Sequence, residues 1–283
     1  INGNISHIIS NKFGDIYLRT YSNRLYRYDI VNNKLIEHKT WNIKSKHTIQ
    51  NKLAFLENSI WFINSDASLT NYNVDTSNFE QSSFPEKYEF TSLTKSEKGL
   101  LWLTTSTDKL ITYEPKSKKL SIIPVLQDNR YYLSKTSSIA ISNKWVWLGS
   151  FEQGLMLIDR QNNDSWVFNN RNGLKNNLIN DVFIGENNNA WFSTNKSIGS
   201  IDPNTRIVKN FESNFGVTNN EFVNGIALYS SSGVTFFGGL NGFHSFVPGK
   251  VLSVTQHSPT PIFTDLLIAN NKIRIKRDFS AFE

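Results

Sequence analysis

A large aromatic residue recurs along this 283-residue chain at an almost constant interval. The positions are Tyr17, Trp61, Trp102, Trp147, Trp191 and Phe236, separated by 44, 41, 45, 44 and 45 residues. Each stands in a short apolar run: IYLRT at 16–20, IWFIN at 60–64, LWLTT at 101–105, WVWLG at 145–149, AWFST at 190–194 and TFFGG at 235–239. Self-similarity at this period means that one supersecondary unit is repeated, and that the units bury their apolar faces against one another. Function then resides in whatever differs between units.

The fourth unit shows the pattern. SSIAIS at 137–142 alternates apolar and polar residues, and Asn143-Lys144 turn the chain into WVWLG at 145–149. A small polar loop at 150–154 leads to LMLID at 155–159, and a turn at 160–164 leads to SWVFN at 165–169. These are four short strands punctuated by turn residues. Across the units the third strand ends near an acid or amide about twelve residues after the aromatic, at Asp29, Asn73, Glu114, Asp159 and Asp202. Paired-helix solenoids have similar periods but need amphipathic runs of ten or more residues. Here the apolar runs are five or six residues long and rich in Ile, Val, Phe and Trp, which selects strands.

The expected fold class is therefore all-β, a β-propeller of four-stranded blades. Six repeats are visible, and they are expected to form part of a seven-bladed ring. The recurring aromatic is expected to fill the wedge between blades, where a large flat side chain excludes most water. Asn-rich runs such as Asn32-Asn33, Asn162-Asn163 and Asn187-Asn188-Asn189 suit tight turns, because Asn tolerates left-handed backbone.

The composition closes off several kinds of chemistry. There is no cysteine, so disulfides, thiolate metal sites and cysteine catalysis are excluded. No apolar run is long enough to span a membrane. The chain begins at Ile1 and reads as a segment of a longer protein. Its net charge of +6 comes from scattered Lys and Arg, with one terminal run at Lys272, Arg274, Lys276 and Arg277, and no nucleic-acid motif accompanies it. The five histidines, His7, His38, His47, His244 and His257, have no metal-site spacing. GGLNG at 238–242 lies between strands and does not open a helix, so it is no phosphate cradle. Propeller glycosidases and lyases need carboxylates converging on the central channel. The innermost strands, read at 5–10, 52–56, 91–94, 138–142, 181–184 and 225–229, hold only one acid, Asp181. No catalytic residue, metal or cofactor is expected.

The last repeat is the most distinctive: GVTNNEFVNG at 216–225, IALYSSSGV at 226–234, then FFGGLNGFHSFVP at 236–248. It resembles the final propeller repeat in the periplasmic sensor region of hybrid two-component regulators of Bacteroides-like bacteria. WLGSFEQGLMLID at 147–159 matches the same family's blade pattern. The first two repeats depart from it, with Arg19-Thr20 and Ile63-Asn64 where Gly-Thr is usual. PTPIFTDLLIANNK at 259–272 resembles the opening strand of the immunoglobulin-like domain that follows the propeller in that family. The resemblance implies propeller blades over 1–250 and a linker with a truncated immunoglobulin-like domain over 251–283. It also implies a periplasmic, non-catalytic segment that binds an oligosaccharide and signals to a cytoplasmic kinase, in a parent protein that is a homodimer. By this reading the segment touches neither nucleic acid nor the inside of a membrane. A propeller hydrolase or lyase, or a purely structural or dimerisation module, are the alternatives.

Candidate binding residues lie on the unequal loops at one end of the blades. They are Trp41, Lys46, His47, Arg130, Tyr131, Tyr132, Lys135, Arg171, Lys175, Asn177, Asn219 and Asn220, with Asn176 beside them. Sugars need flat apolar faces for stacking and amides or charges for their hydroxyls. The basic balance tilts the expectation towards an acidic glycan.

Overall fold

The structure, a computed structural model, describes residues 5–11, 13–20, 24–29, 31–40, 53–63, 69–82, 84, 88–96, 98–105, 109–123, 135–185, 188–212, 216–217, 221–230, 232–252, 266–268 and 271–273. Blade one consists of β1 (Ile5–Ser10), β2 (Ile16–Thr20), β3 (Arg24–Asp29) and β4 (Lys34–Thr40). Blade two has β5 (Ala54–Leu56), β6 (Ser59–Ile63), β7 (Leu69–Asn73) and β8 (Phe79–Ser82). Blade three has β9 (Phe90–Lys95), β10 (Leu101–Thr105), β11 (Leu110–Glu114) and β12 (Lys119–Ile123). Blade four has β13 (Thr136–Ile141), β14 (Trp145–Ser150), β15 (Leu155–Asp159) and β16 (Ser165–Phe168). Blade five has β17 (Asp181–Ile184), β18 (Ala190–Ser193), β19 (Ile198–Ile201) and β20 (Val208–Phe211). Blade six has β21 (Phe222–Tyr229), β22 (Thr235–Gly239) and β23 (Gly242–Phe246). Among the described residues five blades have four strands and the sixth has three, each antiparallel and in chain order. The first strands of successive blades contact one another in sequence, which sets them on the propeller axis.

The recurring aromatic explains the stacking. Trp147 of blade four packs with Leu157 and Phe168 of its own sheet and with Val182, Ala190 and Phe192 of blade five. Trp61 likewise joins Leu101, Leu103 and Ile111 of blade three. Trp102 joins Val146, Leu148 and Met156 of blade four, and Tyr17 joins Phe55, Ile60 and Phe62 of blade two. Trp191 meets Phe246 of blade six, their ring centroids 5.0 Å apart. In each case the aromatic faces the following blade. A buried Trp removes about 150–250 Å² from water, worth roughly 4–6 kcal/mol at about 25 cal/mol/Å².

Phe236 departs from this expectation. It is only half-buried, and it shares its sheet face with Ile226, Leu228 and Phe243, which are 54%, 58% and 67% exposed. Among the described residues no further blade covers that face. The neighbouring Phe237, on the opposite face, is the buried aromatic of this strand, packed on Phe183 of blade five at 5.3 Å.

At Asp29, Asn73, Asp159 and Asp202 the acid or amide that closes the third strand caps the turn that follows. Asp29 Oδ1 accepts from the backbone N–H of Val31 and Asn32, both at 3.1 Å. Asn73 Oδ1 does the same for Asp75 and Thr76 at 3.0 Å, and Asp202 Oδ1 for Asn204 at 2.8 Å. Side-chain capping of this kind replaces backbone pairing where the chain reverses. The Asn32 side-chain amide and backbone N–H together hold the Asp29 carboxyl below its usual value. Asn33, Asn163 and Asn188, one from each of the three runs named above, take the left-handed backbone that these turns require.

The chain divides into two compact units, Ile1–Pro248 and Gly249–Glu283, with the short helix α1 (Pro248–Leu252) at the division. In the second unit β24 (Leu266–Ile268) pairs antiparallel with β25 (Asn271–Ile273). The described part of the tail read as a single opening strand is thus a hairpin. Among the described residues no helix is long and apolar enough to cross a membrane.

Candidate functional site

Antiparallel strands alternate direction, so two kinds of connection emerge at one end of every blade: those between second and third strands, and those leading to the next blade. The longest connections between the strands of the blades are of these kinds. Two clefts open at this end. One, of about 390 Å³, lies on blade four between the β14–β15 loop and the connection to blade five, and is lined by Gln153, Met156, Val167, Asn170, Arg171 and Asn177 among others. The other, of about 860 Å³, spans blades five and six and is lined by Lys175, Asn176, Asn195, Lys196, Glu212, Glu221 and Asn241 among others. They adjoin, because residues 171–177 contribute to both.

The wall between them is tightly held. Asn169 Oδ1 accepts from Arg171 N at 2.9 Å, Asn172 Nδ2 donates to Val167 O at 2.7 Å, and Asn177 Oδ1 accepts from Asn170 N at 2.7 Å. From blade five, Asn210 Nδ2 donates to Gly173 O at 2.8 Å. Leu174 anchors the segment in the core shared by blades four and five. The facing loop is fixed by Ser150 Oγ, which accepts from Glu152 N and Gln153 N at 3.2 Å, and by Gly154 N donating to Asn177 O at 2.9 Å. Gly154 has φ +94°, and a Cβ there would stand 2.1 Å from Phe168 O, so only glycine lets this loop close. The amide-rich sequence thus builds a preformed rim, which lowers the entropic cost of binding.

Of the expected binding residues, Arg171 and Asn177 come together on the smaller cleft, and Lys175 lies on the larger with Asn176. Asn177 serves the loop framework through both its side chain and its carbonyl. Lys175 pairs with Glu212 across the larger cleft at 3.6 Å. Lys135 lies on the same end but is paired with Glu152 and lines neither cleft. Trp41, Lys46, His47, Arg130, Tyr131, Tyr132, Asn219 and Asn220 lie outside the described residues. Sequence reasoning missed Gln153, Asn195 and Asn241, because each sits in a two- to four-residue connection that carries no length signal.

Towards the axis, side chains stitch blades four, five and six together. Ser137 Oγ donates to Ile179 O, and one repeat later Asn180 Nδ2 donates to Phe222 O at 2.7 Å. Asn224 Nδ2 donates back to Asn180 O and to Ser137 O. Asp181, the lone inner-strand acid, is 1% exposed. Its Oδ1 accepts from Val182 N at 3.0 Å and its Oδ2 from Ala227 N of blade six at 2.9 Å. A carboxylate occupied by backbone donors from two blades is a strut.

A third cleft, of about 360 Å³, opens at the opposite end between blades two and three. Its charges are matched: Lys116 with Glu57 at 3.1 Å and Lys118 with Glu80 at 2.8 Å. Among the described residues no cluster of three His, Asp or Glu could hold a metal ion.

The fold and this end-face define a β-propeller segment with a preformed polar cleft system. No described protein family matches the chain. It is 29% identical over 107 residues to Histidine kinase P4 of Formosa agariphila, a match covering 38% of this chain and 8% of that protein. In fold it is similar to the extracellular domain of a putative hybrid two-component system from B. thetaiotaomicron, with a TM-score of 0.69, 18% identity, and 95% of this chain and 38% of that one covered. A streptogramin B lyase structure has a TM-score of 0.66 and 16% identity, with 86% and 79% of the two chains covered. The chain therefore spans less than a tenth of the curated relative and under two fifths of the two-component neighbour.

Proposed function

We propose that this chain is the extracytoplasmic ligand-sensing propeller of a hybrid two-component signalling protein. It binds an oligosaccharide across the two adjoining clefts of blades four to six and passes that occupancy to a cytoplasmic kinase in a dimeric parent protein. The observation that carries the reading is that a sequence relative is a histidine kinase and a structural relative is the extracellular domain of a putative hybrid two-component system. The clefts add chemical support, since their amides, hydroxyls and charges on fixed loops suit hydroxyl-rich ligands. The segment is non-catalytic on this reading. The rival is a polysaccharide lyase or hydrolase; a streptogramin B lyase shares the fold, but the one inner-strand carboxylate of this chain is engaged by backbone N–H groups.

Calorimetric titration of the chain against a panel of neutral, uronic and sulfated oligosaccharides tests this. Saturable binding of at least one member without turnover is expected. Silence across the panel refutes the oligosaccharide reading, and turnover abolished by Asp181→Asn would install the enzyme instead.

A further inference from the structure

The two clefts differ in charge. The larger is balanced among its described lining residues, with Lys175 and Lys196 against Glu212 and Glu221. The smaller has one ionised lining residue, Arg171, and no carboxylate. Arg171 is exposed, and no described carboxylate lies within ion-pair distance of it, whereas Lys135 and Lys175 nearby are both paired. Its loop is held by the Asn169, Asn172 and Asn177 bonds, so the guanidinium is presented from a rigid base. On the same cleft, Gln153 Oε1 is buried without a hydrogen-bond partner. An unfilled acceptor in such a place is costly, and a small rotation of this half-buried side chain would bring its amide to the cleft, where a ligand hydroxyl would satisfy it. A planar guanidinium matches a carboxylate or sulfate through two parallel N–H bonds.

Resting on the oligosaccharide reading, we infer that the ligand is bipolar along its length. The smaller cleft reads a sugar unit bearing a carboxylate or sulfate, its anionic group on Arg171 and a hydroxyl on Gln153 Oε1. The larger cleft takes the uncharged, hydroxyl-rich remainder, since its balanced charges offer no net attraction to an anion. The segment 171–177 is the divider over which the ligand bends. This gives the site polarity: the acidic unit lies over blade four and the neutral units over blades five and six.

Titration with matched pairs of probes tests the assignment: a galactose trimer ending in one galacturonate, and one ending in a single sulfated galactose, each against the neutral galactose trimer. The proteins compared are the unmodified chain, Arg171→Gln and, as a control at the opposite end, Lys118→Gln. Acidic members should bind at least about tenfold more tightly than their neutral partners, from the extra strength of hydrogen bonds to charged groups. That preference should weaken with added salt, vanish in Arg171→Gln and persist in Lys118→Gln. Equal binding of acidic and neutral members, or a preference that survives Arg171→Gln, overturns the assignment while leaving an oligosaccharide sensor intact. If no probe of either kind binds, the assignment and the oligosaccharide reading fall together.

Discussion

Replacing Asp181 by Asn separates a strut from a catalyst. The carboxylate receives Val182 N on one oxygen and, from the next blade, Ala227 N on the other. Asn can supply one acceptor only, and its amide nitrogen then confronts one of the two N–H donors. One charge-assisted bond is lost, and a buried donor is left unmatched at a residue that is 1% exposed. Losing a hydrogen bond to a charged group costs about 1.5–3 kcal/mol, and a stranded buried donor about 1–3. The two overlap because they describe the same N–H, so the expected loss is about 2–3 kcal/mol. In a chain of this size that lowers the melting midpoint by roughly 5–10 °C. Urea and thermal unfolding, followed by the fluorescence of the buried Trp147 and Trp191, would read it out. Unchanged stability in Asp181→Asn would show that the carboxylate does not hold blades five and six together, and would return it to candidacy as a reactive group.

Trp147→Ala should destabilise by about 3–5 kcal/mol, as for other fully buried large aromatics, whereas Phe236→Ala should cost less than half as much because its face is partly open; equal costs in urea unfolding would contradict the asymmetry of the terminal blade. The Lys118 hydrogen bond, backed by the Asn71 amide, holds the Glu80 carboxyl below its usual value. A carboxyl depressed in the folded state stabilises above the unfolded pKa, and the contribution is lost as pH falls through the folded value. Glu80→Gln should therefore cost under about 1 kcal/mol at neutral pH, given that the Glu80 side chain is 55% exposed. Thermal melts should show the difference disappearing as the pH falls below the ordinary glutamate range; a constant difference down to acid pH would contradict the pairing.

The architecture was legible because a propeller repeats its constraint. The same aromatic, at the same register, meets the same wedge in blade after blade, so Trp61, Trp102, Trp147 and Trp191 each report one interface. The acid or amide twelve residues on was visible as a pattern, and its role as a turn cap follows from the side chain's short reach. Phe236 could not be read the same way, because burial depends on a neighbouring blade that its own sequence does not encode. The site was legible only in part. Arg171, Lys175 and Asn177 stand on a connection long enough to attract notice. Gln153 and Asn241 occupy short turns of four and two residues, and only folding places them on the clefts. Asn177 carried the right chemistry for a ligand, yet it spends its side chain and carbonyl on the loop framework.

The central claim, that ligand recognition lies at the loop end of blades four to six, is tested most directly by hydrogen exchange with and without a bound oligosaccharide. Protection is expected over residues 150–154, 169–177 and 194–197, with the opposite-end turns around Glu57, Asn73–Asn78 and Pro115–Lys118 unchanged. Protection confined to those opposite-end turns, or uniform across all six blades, would contradict it.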